Sequence, residues 1–173
     1  MKQWHKFALI ASGLLAIVSW VIAILFWDKL PQVIPTHFGI SGMADDWQNK
    51  SILWAFMLPA VQTLMVVMFG FLYWKPQYSD IPTTMWIMTM EESIKDHAFS
   101  MIRKMLAGTS LWIGVLLTYM VYMMNKSALN KNIGMNPWLM LILVGSMLIW
   151  LIWWTIKVYR ATKEAISTQS QKK

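Results

Sequence analysis

The chain has 173 residues, of which 57% are hydrophobic and only 13% charged, and its mean hydropathy is +0.47. A soluble domain carries about 25% charged residues, so this balance excludes an ordinary water-soluble globule and points to one membrane domain. Cysteine is absent, which excludes a disulfide framework, a thiolate metal site and a cysteine nucleophile. The formal net charge of +7 sits at the ends of apolar runs, where membrane topology accounts for it better than nucleic acid does.

Residues 1–6 form a short basic lead. An uncharged run over about 7–27 follows, close to the roughly 20 residues a helix needs to cross a bilayer. A cleaved signal peptide would have a shorter apolar region and a small-residue exit, whereas this run ends Phe26-Trp27-Asp28. It is read as a retained first span. The loop 28–51 is the least generic part of the chain. Pro31 and Pro35 push Leu30 and Ile34 towards extended geometry, and Gly39, Ser41 and Gly42 supply turn chemistry. Asn49 or Ser51 caps the helix that follows. The loop is expected to be a rigid, shaped connector. The second span covers about 52–73. Pro59 frees the carbonyl of Ala55 and predicts a kink. Gln62 and Thr63, one turn on, need polar partners in lipid and should face the other helices.

Residues 74–104 make the longest polar interval. Asp80-Ile81-Pro82 reads as a helix start, and the mixed apolar and charged pattern over about 82–104 as an amphipathic helix lying at the interface and running into the third span. Within it Glu91 and Lys95 form a favourable i,i+4 pair. The third span is expected over about 105–124, with Gly108, Thr109, Ser110, Gly114 and Thr118 suited to close helix contact. A short loop over 125–136 precedes Pro137, which starts the last span, about 138–156, with Asn136 as its cap. Trp150, Trp153 and Trp154 suit the far interface, beyond which a helix runs into a polar tail.

The fold class is therefore an all-α membrane protein of four transmembrane helices, with an interfacial amphipathic helix before the third span. Only Lys29, Lys50, Lys126 and Lys131 fall on one side; the remaining Lys and Arg fall on the other. That excess predicts a multi-pass plasma-membrane protein with both termini and the amphipathic helix cytoplasmic, and with loop 28–51 outside.

His37, Asp45 and Asp46 form the cluster most like a site. They could bind a divalent metal or shuttle a proton. A metal site usually wants about three or four ligands, and His5 and His97 fall across the membrane, so neither metal nor cofactor is expected. The milder reading has the aspartates satisfying turn amides and His37 bonding a loop carbonyl. The sharper one is a recognition surface. No nucleophile elbow, HExxH or phosphate loop occurs, and no acidic pair lies within a span, so no enzyme is expected. The 16 methionines scatter as apolar filler, apart from Met120, Met123 and Met124, and the 12 tryptophans read as membrane anchors before nucleic-acid platforms.

The order LPxxIPTHFxxxGxxDxWxxK is carried by Leu30, Pro31, Ile34, Pro35, Thr36, His37, Phe38, Gly42, Asp45 or Asp46, Trp47 and Lys50. It resembles the signature of the SdpI-like family of small bacterial integral membrane proteins, typified by the immunity protein against a sporulation-delaying toxin. The resemblance covers about the first 75 residues. It implies a non-enzymatic protein of toxin-immunity or signal-receptor type that meets a secreted peptide toxin at the outer face. Pro35, Thr36, His37, Phe38, Gly42, Asp45, Asp46, Trp47 and Lys50 are then the peptide-binding candidates. An inner contact with a regulator or membrane protein would use Glu91, Lys95 and Arg103. The alternative is an accessory subunit of a transporter or envelope complex, held through its helices.

Overall fold

The computed structural model describes residues 3–79, 87–88 and 92–170. Its elements are α1 (Trp4–Trp27), β1 (Val33–Phe38), β2 (Ala44–Asn49), α2 (Ile52–Trp74), a 3-10 turn (Pro76–Tyr78), α3 (Glu92–Leu129) and α4 (Pro137–Ser170). All four helices are long and apolar enough to cross a membrane. The all-α four-span architecture stands. The connector between α1 and α2 departs from expectation, being a two-stranded antiparallel hairpin rather than a loop.

α1 buries Ala8, Ser12, Ala16, Ser19 and Ala23, a stripe recurring every three or four residues. Small side chains let its backbone approach α3 closely. In a bilayer, lipid is as apolar as leucine, so close packing and interhelical hydrogen bonds replace the hydrophobic effect as the force holding helices together. The bonds converge on Gln62, which is fully buried. Its amide accepts from the Ser19 hydroxyl at 2.6 Å and donates to the Gly114 carbonyl at 3.2 Å and the Thr118 hydroxyl at 3.1 Å, joining α1, α2 and α3. Ser110 donates to Ser12 at 2.9 Å one layer away. Thr63 takes a different route. Its hydroxyl bonds back to the Pro59 carbonyl at 2.9 Å and accepts from the Trp20 indole at 2.9 Å.

At the end bearing the chain termini, α4 presses against α3 through Met101, Ile102, Met105, Leu106, Trp154 and Val158, with Ile87 and Ala98 in the same core. Gly108 permits this approach: a Cβ there would lie 2.2 Å from the Trp150 ring. Trp150 and Trp154 are therefore packing residues rather than interfacial anchors, and Trp153 alone of the three is exposed. Towards the hairpin end α4 loses its neighbours, and Trp138, Leu139, Leu141 and Ile142 are exposed.

The amphipathic stretch runs into the third span as one continuous helix from Glu92 to Leu129, since no proline interrupts it. Two boundaries differ from the sequence reading. The helix also runs through Asn125, whose buried amide bonds back to the Val121 carbonyl at 2.7 Å instead of starting a loop. α4 continues to Ser170, because its polar end contains neither glycine nor proline. At roughly 1.5 Å per residue, α3 and α4 both outrun a hydrocarbon core of ~30 Å. The expected helix start at Asp80 and the residue Glu91 lie outside the described residues. Lys95 pairs with Glu92, at 2.8 Å.

Candidate recognition site

The hairpin is irregular where its polar side chains cluster. Pro35 pairs with Trp47 and His37 with Asp46, leaving Thr36 as an extra residue on β1; Phe38 pairs with Ala44, leaving Asp45 extra on β2. Such bulges bend a strand and re-aim its side chains. Here they bring the Asp45 carboxylate to His37 Nδ1, at 2.5 Å, and the Thr36 hydroxyl to Asp46, at 2.8 Å. Both aspartates thus bond a side chain of the facing strand, Asp46 also meeting the Trp47 amide and the Gln48 side chain of its own strand, and His37 bonds a carboxylate, not a loop carbonyl. The hydrogen bond from Thr36 is the main reason Asp46 is held below the usual carboxylate range, assisted by the Trp47 amide, the Gln48 side chain and the charge of His37.

The hairpin is fastened at both ends. At its base the Lys50 ammonium donates to the carbonyls of Trp27, at 2.7 Å, and Leu30, at 3.2 Å, and lies 4.4 Å from the centre of a Trp27 ring. It closes the C-terminal end of α1, where a cation is favoured. Ser51 is the cap of α2, its hydroxyl accepting from the Trp54 amide at 3.3 Å. Ile34 is fully buried with Leu30, Ala55 and Ala128, which pegs β1 between α2 and α3. At the tip the Met135 amide donates to the Gly42 carbonyl at 2.7 Å. Gly42 has φ +81°, and a Cβ there would sit 1.9 Å from the Met135 carbonyl oxygen. No other residue combines that conformation with that approach. The Lys131 ammonium lies 5.0 Å from the Trp47 ring, tying β2 to the same α3–α4 connection.

The candidates from the sequence therefore separate into two sets. Gly42, Trp47 and Lys50 mount the hairpin, Gly42 also lining the space beside it, and Pro35 is fully buried. Thr36, His37, Phe38 and Asp45 face outward or into the space beside it, with Asp46 exposed alongside. That space is a groove of about 770 Å³ between the hairpin, α3 and the first turns of α4. Thr36, His37, Phe38, Gly39 and Ile40 form one wall, Met120 the floor, and Met135, Trp138, Met140, Leu141 and Val144 the other wall. Behind Phe38 and Met120 a cavity of about 60 Å³ reaches Trp54, Met57 and Met124. The groove is apolar except at its His37 end. Its methionines are flexible and polarisable, which suits an adaptable apolar surface. Ile40, at the hairpin tip, is completely exposed.

Sequence reasoning missed the far wall altogether, because residues so distant along the chain come together only in the fold. Met120 carried a signal, as part of the one methionine cluster noted. At the opposite end, the Arg103 guanidinium donates to the Tyr73 carbonyl at 3.2 Å and so closes α2; it is engaged within the fold. His5 bonds the Tyr73 hydroxyl at 2.7 Å, far from the hairpin. Among the described residues no group of three or more His, Cys, Asp or Glu could hold a metal ion.

Residues 14–63 match a domain of unknown function, DUF1648. The match fits an uncharacterised membrane family. It runs from α1 through the hairpin into α2, so the DUF1648 segment holds every hairpin candidate. The groove's floor and far wall, from Met120 onward, lie outside it. No curated protein and no solved structure matches the chain.

Proposed function

We propose that the protein is a non-enzymatic bacterial plasma-membrane protein of the toxin-immunity or signal-receptor type, recognising a secreted peptide through the hairpin and the groove beside it. The observation that carries this reading is the mounting of the hairpin. Three of its candidate residues, Lys50, Gly42 and Trp47, hold it against α1 and the α3–α4 connection, and Thr36, His37 and Phe38 border an apolar groove of about 770 Å³. Preorganised surfaces bind with less ordering cost, and ligand sites usually fall in the range of about 300–1,000 Å³. The excess of Lys and Arg at the opposite end supports an outward-facing hairpin with both termini cytoplasmic. The resemblance of the hairpin sequence to SdpI-like proteins supports the immunity role.

The test is a protection assay. The chain is expressed in a sensitive bacterium, membrane levels are matched, and cells are challenged with secreted peptide toxins of the source organism. Loss of protection with His37→Ala and with Phe38→Ala is expected. Full protection by both variants would remove the hairpin from the function.

The second reading, an accessory subunit of a transporter or envelope complex, is favoured by α4. Only 6% of its apolar window is buried, which leaves a long face for another membrane protein. It expects a larger membrane partner to co-purify and the hairpin variants to be silent.

A further inference from the structure

The groove limits what kind of peptide can lie in it. Its α4 wall runs from Trp138 to Val144, a rise of about 9 Å at ~1.5 Å per residue. Trp138 is exposed at the start of the span, where indole rings sit at the interface. The groove therefore reaches from head-group level just into the outer hydrocarbon. Amphipathic helices lying on a membrane bury their apolar face to about 5–10 Å, the same depth. Leu141 and Val144 belong to the lipid-exposed surface of α4 as well as to the groove. The groove is thus open sideways to the bilayer, and a peptide already lying in the interface can enter it without crossing water. A helix of ~10–12 Å diameter would fill about 770 Å³ with roughly one and a half turns.

Two carboxylates stand beside the groove, Asp45 paired with His37 at 2.5 Å and Asp46 bonded to Thr36 at 2.8 Å. Asp45 is half-exposed and Asp46 fully so, both next to the His37 and Thr36 that line the mouth. The four lysines of this end each lie over an aromatic ring and none lines the groove: Lys50 over Trp27, Lys131 over Trp47, Lys126 over Tyr122 and Lys29 over Phe26. We propose that the groove receives a cationic amphipathic peptide lying in the outer membrane interface. Its apolar face packs against Phe38, Met120, Leu141 and Val144, and a Lys or Arg side chain meets Asp45 and Asp46. This rests on the reading of the protein as a peptide-recognition protein and names the class of peptide.

The test uses the full chain in nanodiscs of neutral phosphatidylcholine, with a fluorescent amphipathic helix of leucine and lysine as probe. Its partner probe has every lysine replaced by glutamate. The lysine helix is expected to bind above its background on empty nanodiscs, and the glutamate helix not to. Asp45→Asn with Asp46→Asn should weaken binding about fivefold, as expected for exposed ion pairs, with a smaller salt dependence. Val144→Trp, which fills the groove from a lipid-exposed position, should abolish it. Equal binding of both helices, or no effect of the aspartate changes, would overturn the proposal. So would a photoactivatable phospholipid that labels Phe38 or Met120 and is not displaced by the helix, since a lipid would then be the occupant. If the lysine helix fails to bind while protection still depends on His37, the peptide class is wrong and the recognition site stands. If protection ignores the hairpin, the functional reading itself falls.

Discussion

Gly42→Ala tests the mounting of the hairpin directly. The alanine must adopt φ +81°, and its Cβ would meet the Met135 carbonyl oxygen at 1.9 Å. The left-handed conformation alone costs ~1–2 kcal/mol for a residue with a Cβ. The clash forces the tip away from the α3–α4 connection, so the bond from the Met135 amide to the Gly42 carbonyl is lost as well, a further ~0.5–1.5 kcal/mol. Together these make about 1.5–3.5 kcal/mol, or roughly a 10- to 300-fold rise in the undocked population. The helices should not notice, because their bonds through Gln62 and Ser12 lie elsewhere. Hydrogen–deuterium exchange read by mass spectrometry is the assay, on protein in nanodiscs. Peptides spanning 33–49 and 130–136 should exchange far faster, with those of α1 and α3 unchanged. Unaltered protection of the hairpin would refute the reasoning, for it would mean that the tip contact does not hold the hairpin in place.

Other consequences are as direct. Gln62→Leu deletes three interhelical bonds averaging about 0.6 kcal/mol each in membranes, so it should cost about 2 kcal/mol in detergent or thermal unfolding; an unchanged midpoint would count against the network. Lys50→Met removes two charge-assisted bonds and the stacking on Trp27, and should lower stability by ~1–2 kcal/mol while membrane insertion persists, as a thermal melt with a membrane-level blot would show. Gly108→Ala overpacks the α3–α4 contact against Trp150, a cost of about 1–3 kcal/mol that should appear as a shifted tryptophan emission. Asp46 is held below the ordinary aspartate range in the fold. Its contribution is therefore complete above the unfolded value and disappears as pH falls through the lowered one. Thr36→Val should move the Asp46 carboxyl titration upward by NMR; an unmoved titration would mean that the hydroxyl is not the cause.

The membrane class and the four spans were legible in the sequence because hydropathy and length are local properties, read within one run of some 20 residues. So was the polar inward face of α2 at Gln62, since an amide in lipid must find a partner. Helix ends were less legible. Asn125 looks like a loop residue, yet it satisfies itself on the Val121 carbonyl and the helix passes through it. The run from β1 to β2 carried turn signals at Gly39 and Gly42 but not the strand alternation that would have announced a hairpin; its two bulges break the period of two.

What the sequence determined by itself was the set of candidate residues between Leu30 and Ser51. What only the tertiary structure decided was their division of labour. Lys50, Gly42 and Trp47 read as ligand candidates in isolation, and become fastenings once the end of α1 and the α3–α4 connection are brought beside them. The groove exists for the same reason. Its walls come from β1, α3 and α4, more than a hundred positions apart at the extremes, and α4 stands clear at this end while Trp150 and Trp154 pack its other end on α3. A contact of that kind depends on where whole helices lie, and no local pattern of residues encodes it.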